Sequence, residues 1–245
     1  MRTNMVKIWT LSGLLVCTQG FCLAEKPTRI KQLFQEVSSR VESMYPYVTE
    51  RLLHALLETD TPLTSQTQKL EICIKALKEE DIKDIEDRIN DAVNSIKKKE
   101  PQTLTAENEF GLTPAHELAF IVNNHIKAKN AGKHLFKQDA WMHGDWLGED
   151  YFLDLVYAYL LPNIDSGKKV LAKKPPIKEA DNPREEKAVF LANQDISSKY
   201  KVLEDLGITK TEMSPKELMK KVIEPHKDQW PKIWNLVSKS DVKAK

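Results

Sequence analysis

The chain has 245 residues and a formal net charge of +1, and 30% of its residues are charged. This balance favours neither nucleic acid nor another polyanion as a partner. The only long apolar run lies at the start, and the remainder has the composition of a globular protein of one large or two small domains.

The first residues have the pattern of a secretory signal peptide. Arg2 and Lys7 precede the uncharged stretch IWTLSGLLVCTQGFCLA, and the first acidic residue is Glu25. A positive head, an apolar run of roughly ten residues and a final small residue are typical of such a leader, so we expect cleavage after Ala24. Residues 18–20 interrupt the apolar run, which makes it shorter than the roughly 20 residues of a membrane span. The sequence therefore predicts export to the periplasm or the exterior, with no stable membrane span after cleavage.

Cleavage leaves Cys73 as the one cysteine of the mature chain. A single cysteine forms no internal disulfide, so packing must hold the exported protein together. Cys73 lies between two isoleucines in a helical pattern, which favours a buried small hydrophobe. A reactive thiol and an intermolecular bridge are the alternatives.

Apolar residues recur at intervals of three and four along most of the mature chain. They do so over residues 30–41 and 48–57, which Pro46 separates, and again over residues 70–96. This spacing predicts amphipathic helices, the last of them long and ended by the lysines of KKKEP.

The C-terminal part contains helix stop and start signals. In KVLEDLGI, Gly207 followed by Ile208 predicts a Schellman stop. In SPKE, Ser214 predicts an N-cap, Pro215 the first helical position and Glu217 the partner in a capping box. No segment shows the sustained alternation of a β-strand, so the predicted fold class is all-α, an irregular helical bundle or array.

Two polar stretches, KKKEPQT and GKKVLAKKPPIKEADNP, divide the chain into regions. Although the second contains five lysines, it has no interleaved aromatic residues and acidic residues follow at once, which favours a solvated linker over a basic patch. The predicted regions are a signal peptide at 1–24, an N-terminal helical region at 25–100, a central region at 101–172, a linker at 173–183 and a C-terminal helical region at 184–245.

The central stretch NEFGLTPAHELA resembles the opening of an ankyrin repeat. The matching residues are Asn108, Gly111, Thr113, Pro114, His116 and Ala119. Gly111 suits a turn position with positive φ, Thr113 can cap a helix, and Pro114 fits the first helical turn. The resemblance implies that His116 is structural, with hydrogen bonds within and between repeats, and that the region is a helix-turn-helix unit.

This resemblance covers about a dozen residues, and no sister repeat occurs at a spacing of about 33 residues. The stretch EDYFLDLVYAYLL is the candidate second helix, displaced by an insertion. Because one repeat cannot bury its own face, the stretch is either a degenerate ankyrin-like unit packed on other helices or a chance match.

Metal chemistry is not predicted, although histidines recur every nine residues at His116, His125, His134 and His143. Nine residues of helix place neighbouring histidines on opposite faces and about 13 Å apart. Zinc ligands must converge on one ion at about 2 Å. No cofactor is predicted either.

The stretch WMHGDWLGED contains His143-Gly144-Asp145, and Asp165 follows about twenty residues later. It resembles the catalytic loop of aminoglycoside-type phosphotransferases. The resemblance implies a base role for Asp145 and a magnesium-binding role for Asp165. However, Asp150 stands where that family has an Asn, and the chain has no glycine-rich phosphate loop before this point.

Trp141 and Trp146 bracket His143 and Asp145, and we expect a turn there that includes Gly148. The two tryptophans either pin this turn to the core or, with His143 and Asp145, form one recognition surface.

We therefore predict an exported, non-enzymatic all-α protein that binds an unidentified protein partner through its central ankyrin-like segment, as effectors and envelope factors do. The alternative is a kinase-like phosphotransferase or hydrolase centred on His143 and Asp145.

Overall fold

The computed structural model describes residues 29–41, 44, 71, 74–130 and 146–239. Within these ranges the structure consists of helices and turns, with one isolated bridge between Val170 and Met213 and no strand, so the predicted all-α class is confirmed. The α-helices are α1 (Arg29–Val41), α2 (Glu79–Lys99), α3 (Pro114–Asn130), α4 (Trp146–Ile164), α5 (Glu186–Asp205), α6 (Pro215–Ile223) and α7 (Pro231–Ser238). Short 3₁₀ turns follow α2 at Pro101–Leu104 and α6 at Glu224–His226.

The long helix predicted over residues 70–96 is interrupted before α2. Residues 74–76 are helical, but Leu77 and Lys78 are not, and Lys78 has extended backbone angles. The Lys78 N–H donates to the Asp81 carboxylate at 3.2 Å, which starts a new helix at Glu79. The capping interaction at Lys78 therefore separates the helical residues 74–76 from α2, although the apolar pattern continues across both.

Both predicted end signals of the C-terminal helices are confirmed. Gly207 has φ +76°, and the Ile208 N–H bonds to the carbonyl of Leu203 at 3.1 Å, as in a Schellman motif. At the start of α6, the Ser214 hydroxyl accepts from the Glu217 N–H at 3.2 Å, and the Glu217 carboxylate accepts from the Ser214 N–H at 2.7 Å.

The central helix of the core is α4. It contacts α2, α3 and α7, while α6 packs on both α3 and α7. Every residue from Asp150 to Tyr157 is buried, because helices surround this part of α4 on all sides. Side chains from the N-terminal, central and C-terminal regions thereby share one apolar cluster.

Helix α4 begins at Trp146, so Gly148 lies inside a helix, and the turn expected at Gly148 is wrong. The buried apolar residues that follow Gly148 extend the helix through it, because their burial outweighs the roughly 1 kcal/mol that a helical glycine costs. None of the helices in the described ranges has the length and apolar character that crossing a membrane requires.

Several sequence predictions fall outside the described residues. These are the signal peptide at 1–24, the helix predicted over 48–57 and the residues Cys73, His134, Trp141, His143 and Asp145. For Trp146 the structure describes the helical backbone but not the side chain.

Candidate functional site

The turn before α3 is organised by Asn108. Its side-chain oxygen accepts from the N–H groups of Phe110 and Leu112, each at 2.9 Å, and its own N–H donates to the Leu112 carbonyl. Gly111 occupies the left-handed region, with φ +76°. The Asn108 side-chain amide also donates to Glu117, in the first turn of α3. The side chain of Asn108 thus satisfies the backbone of the turn and joins it to the helix.

His116 connects this turn to the segment before α6. Its Nδ1 lies 2.6 Å from the Thr113 hydroxyl, and its Nε2 lies 2.9 Å from the carbonyl of Met213, 97 residues away. A carbonyl only accepts, so Nε2 carries the proton, and Nδ1 accepts from the Thr113 hydroxyl. Burial lowers the pKa of His116, although the bond to the Met213 carbonyl opposes this shift. Both ring nitrogens of His116 are therefore used to hold the fold together.

Glu117, beside His116, is also hydrogen-bonded to the turn, through the side chain of Asn108. Burial raises the pKa of its carboxyl group, and the hydrogen bond from Asn108 opposes the rise. His116 and Glu117 consequently both have hydrogen-bond partners in the scaffold.

A second polar cluster is buried between α3, α4 and α7. His125 Nε2 lies 3.4 Å from the Asp150 carboxylate, and both side chains are almost completely buried. The His125 ring meets the Trp230 ring edge-on, with centroids 5.5 Å apart. The Tyr157 ring stacks on the Trp230 ring, with centroids 6.2 Å apart and an interplanar angle of 9°. This geometry stabilises the contact of α7 with α3 and α4.

Asp154 caps α7 from a different helix. Its two carboxylate oxygens accept from the N–H groups of Lys232, at 2.8 Å, and Ile233, at 2.9 Å. Pro231 has no N–H, and the N-cap residue Trp230 makes no side-chain cap, so the first turn of α7 depends on Asp154. Burial raises the pKa of Asp154 to about 7, while the two backbone bonds and the charge of Lys232 act in the opposite direction.

The structure places one residue of the predicted phosphotransferase site. Asp165 follows the last residue of α4, and its Oδ1 accepts from the Gly167 N–H at 2.8 Å. Asp145 lies outside the described residues. The predicted pairing of Asp145 and Asp165 in one phosphotransferase site therefore stays a prediction. Among the residues that the structure covers, no cluster of three or more histidine, cysteine or acidic side chains is arranged to hold a metal ion.

The two most exposed large apolar side chains of the described residues, Ile177 and Phe190, lie shortly before α5 and within it. The exposed fraction is 67% for Ile177, 66% for Phe190 and 41% for Leu191. We call these three residues the Phe190 surface. No residue from Glu186 to Asp195 is buried, and the first buried side chain of α5 is that of Ile196. The N-terminal half of α5 therefore has a face that contacts no part of the described core.

The chain before α5 is fixed against the core rather than loose. Val170 and Met213 exchange two backbone hydrogen bonds of 3.0 Å, and the Lys173 N–H donates to the Phe110 carbonyl at 3.0 Å. Further along, the Asn193 side chain accepts from the Lys178 N–H and donates to the Lys178 carbonyl, both at 2.9 Å. The predicted linker at 173–183 is thus bonded to the fold at both Lys173 and Lys178.

These bonds define the geometry of the Phe190 surface. Phe190 precedes Asn193 by three residues, so the two lie on the same side of α5, one turn apart. The Asn193 side chain is hydrogen-bonded to the backbone of Lys178, so Ile177, the residue before Lys178, lies on that side of the helix as well. Hydrogen bonds therefore support the backbone beside Ile177 and Phe190 on one side of α5, whereas Leu191 lies about 100° further around the helix from Phe190.

Several lysines lie near the Phe190 surface in the sequence, although residues 177–191 themselves contain three basic and four acidic residues. Residues 167–178 contain five lysines and no acidic residue, and Lys187 lies one turn before Leu191 in α5. Lys168 pairs with Glu107, and the Lys174 ammonium lies 5.9 Å from the centre of the Tyr200 ring. Within the described residues, Lys173, Lys178 and Lys187 form no ion pair. We call these last three residues the lysine row.

The sequence by itself does not indicate this surface. Ile177 lies in a stretch with the composition of a solvated linker, and the apolar residues of α5 have the composition of an ordinary amphipathic helix. One signal was available, since Ala188–Ala192 is an uninterrupted apolar stretch that is wider than one buried face needs.

Comparisons with known proteins do not assign the chain to a family. A scan against protein-family models found no match, and neither the curated proteins nor the solved structures gave a significant similarity.

Proposed function

We propose that this chain is an exported, non-catalytic helical protein that binds another protein through the Phe190 surface. The observation that carries the proposal is the exposure of two large apolar side chains, Ile177 and Phe190, at about two thirds each on a supported backbone. Single exposed apolar residues are common, but several held together are typical of interaction sites.

The support beneath the surface favours binding over local mobility. The segment from Val170 to Lys178, which we call the strap, is bonded to Met213, Phe110 and Asn193, so the backbone that carries Ile177 is already positioned before a partner arrives. Positioning in advance reduces the entropy that association costs. An aromatic side chain such as Phe190 supplies a large contact area with few rotatable bonds.

The ankyrin resemblance adds a second element to the proposal. We infer that the Asn108–His116 turn acts as a scaffold, as the resemblance implies for that family. The scaffold supports the segment that leads to Ile177, because the Phe110 carbonyl in this turn accepts a hydrogen bond from the Lys173 N–H. Thr113, Pro114 and Gly111 are then structural residues of this scaffold and make no contact with the partner.

The experiment is an affinity capture with the mature chain, residues 25–245, against the envelope and secreted fractions of its source. We expect Ile177→Ser combined with Phe190→Ser to reduce recovery of the partner at least about tenfold, as loss of central anchors does. Ile74→Ser is the matched control, because Ile74 is also a partly exposed aliphatic residue, 39% exposed, in another part of the chain.

The thermal unfolding midpoint of each variant must be measured beside the capture. Both substitutions remove exposed side chains, so the midpoints should stay within about 2 °C of the parent, as expected for changes within about 0.5 kcal/mol. Equal recovery by the parent and the double variant would refute binding through the Phe190 surface.

A further inference from the structure

We infer that α7 is a pH-sensitive latch, which stays packed on α4 while the Asp154 carboxyl group is protonated and opens separately from the rest of the fold once that group ionises. The movement involves α4 and α7 and makes no use of the Phe190 surface. It concerns the detachment of one helix, whereas unfolding of the whole chain is a separate event.

The backbone of α7 is bonded to another helix through a single side chain. Within the described part of the chain, the hydrogen bonds from residues 231–238 to another helix are those that the N–H groups of Lys232 and Ile233 donate to the Asp154 carboxylate. Helix α7 has eight residues, and isolated helices shorter than roughly 12 residues are marginal in water. Helix α7 therefore depends on this remote cap and on the packing of Trp230, Ile233 and Val237, so weakening the cap can release it while the other helices stay bonded.

The group that holds α7 is a buried acid without a paired cation. The exposed fraction of Asp154 is 0%, and no cation among the described residues forms an ion pair with it. A carboxylate that loses its water without gaining a cation is less stable than the neutral acid. Burial accordingly raises the pKa of Asp154 to about 7, although the backbone bonds from Ile233 and Lys232 and the charge of Lys232 oppose the rise. When α7 moves away, water reaches the carboxyl group, and ionisation no longer carries this penalty.

Other titratable groups surround the start of α7. His125 of α3 and Tyr157 of α4 contact the Trp230 ring, and Asp150, one turn before Asp154 on α4, lies 3.4 Å from His125. None of the charged residues of α2, which packs on α4, is buried. The same holds for the titratable residues of α6 and the turn after it, which are Lys216, Glu217, Lys220, Lys221, Glu224, His226, Lys227 and Asp228. Lys232 of α7, which is half-buried, is the group whose charge acts on Asp154.

Helix α6, the neighbouring short helix, is capped in the opposite way and provides an internal reference. Its cap is formed by Ser214 and Glu217 of its own first turn, and Glu217 is exposed. The hydrogen bonds from Ser214 lower the pKa of Glu217, so its carboxylate stays ionised between pH 5 and pH 8. The cap of α6 therefore does not change in this range, whereas the cap of α7 does.

The direction of the effect follows from proton binding. Between an ordinary pKa of 3.8 and about 7, the closed latch retains a proton that the open latch releases, so opening becomes more favourable as the pH rises and levels off above about 7. Each pH unit inside this window changes the equilibrium about tenfold. Since about two units lie between pH 5 and the upper limit, the open fraction should rise roughly a hundredfold between pH 5 and pH 8.

The test is hydrogen–deuterium exchange of the full mature chain, followed by mass spectrometry and corrected for the intrinsic exchange rate at each pH. In the parent, the protection of residues 230–238 should fall roughly a hundredfold between pH 5 and pH 8. At both pH values this peptide should be less protected than residues 85–96 of α2, and its exchange should respond less to a subdenaturing concentration of urea, because local opening exposes little surface. In Asp154→Asn the protection of residues 230–238 should change by less than about threefold. Asp84→Asn, which removes an exposed carboxylate of α2, is the matched control and should keep the parent profile.

The latch is refuted if residues 230–238 and residues 85–96 have equal protection and equal urea dependence, because α7 then opens only when the whole chain unfolds. A parent profile that is flat to within about threefold, or an equal fall in Asp154→Asn, also overturns it. If Asp154→Asn leaves α7 unprotected at both pH values, Lys232→Gln takes its place. Removing the charge of Lys232 should raise the pKa of Asp154 further, so the pH at which protection levels off should move upward, and a pH that stays the same or moves downward overturns the latch.

Discussion

The carboxyl group of Asp154 is the most informative group to perturb, because it is buried, ionisable and bonded to a helix 78 residues away. We propose Asp154→Asn as the perturbation. Asparagine has nearly the same shape and keeps an oxygen that can accept from the N–H groups of Lys232 and Ile233, but it does not titrate. The variant therefore removes the proton equilibrium while preserving most of the packing.

The sign of the effect follows from proton binding in the two states. In the folded chain the pKa of Asp154 is about 7, against an ordinary value of 3.8. Between these values the folded state retains a proton that the unfolded state has released, so the free energy of unfolding falls as the pH rises. The contribution of Asp154 is complete below about pH 4 and lost once the pH passes about 7.

The magnitude follows from the size of the shift. Each pH unit inside this window changes the free energy of unfolding by about 1.4 kcal/mol. Between pH 5 and pH 8 the parent should lose about 2–3 kcal/mol relative to Asp154→Asn, because roughly two of these units lie within the window.

Urea denaturation at pH 5 and pH 8, followed by tryptophan fluorescence, measures this difference directly. Asp84→Asn serves as the control for losing a carboxylate, because Asp84 is exposed and pairs with Arg88 on the surface of α2. Its effect should stay below about 1 kcal/mol at both pH values. If the parent instead gains stability over Asp154→Asn as the pH rises, the positive end of α7 dominates over burial and the reasoning is refuted.

Two further substitutions test the scaffold. His116→Ala leaves the Met213 carbonyl and the Thr113 hydroxyl without a partner in the core, so we expect a loss of about 1–3 kcal/mol in urea denaturation. Burial lowers the pKa of His116, so the folded state resists protonation of this ring. The parent should therefore lose stability relative to His116→Ala as the pH falls below about 6.5. A stability difference that is constant from pH 7 to pH 5 would contradict the buried neutral ring. Gly207→Ala forces an alanine into φ +76° and places its Cβ 3.3 Å from the Lys221 ammonium. We expect the free energy of unfolding to fall by about 1–2 kcal/mol. An unchanged urea midpoint would show that the Schellman stop is not retained.

Part of the candidate site could be anticipated from local residues. The TPAH stretch predicted a capped turn with a structural histidine, and in the structure Thr113 and His116 are three residues apart and hydrogen-bonded. The remote partner of His116 could not be anticipated. Met213 lies 97 residues away, and nothing in its own neighbourhood indicates that its carbonyl will face a histidine.

The Phe190 surface illustrates a different limit. Apolar residues at helical spacing in α5 predict a helix, but they do not say which of those residues will be covered. Ile196 is buried and Phe190 is exposed because, among the described residues, the apolar core reaches only the C-terminal half of this helix. Exposure depends on the position of other elements, so periodicity alone cannot identify an interaction surface.

The sequence by itself determined the all-α class, the Schellman stop at Gly207 and the capping box at Ser214, because helix spacing and helix ends depend on residues within three or four positions of one another. Only the tertiary structure decided that Asp154 of α4 caps α7 and that the strap after Gly167 is bonded to Phe110 and Met213. Those partners are far apart in the chain, and the hydrogen bonds between them form only when packing of the apolar faces has brought the elements together and excluded water from the groups that remain.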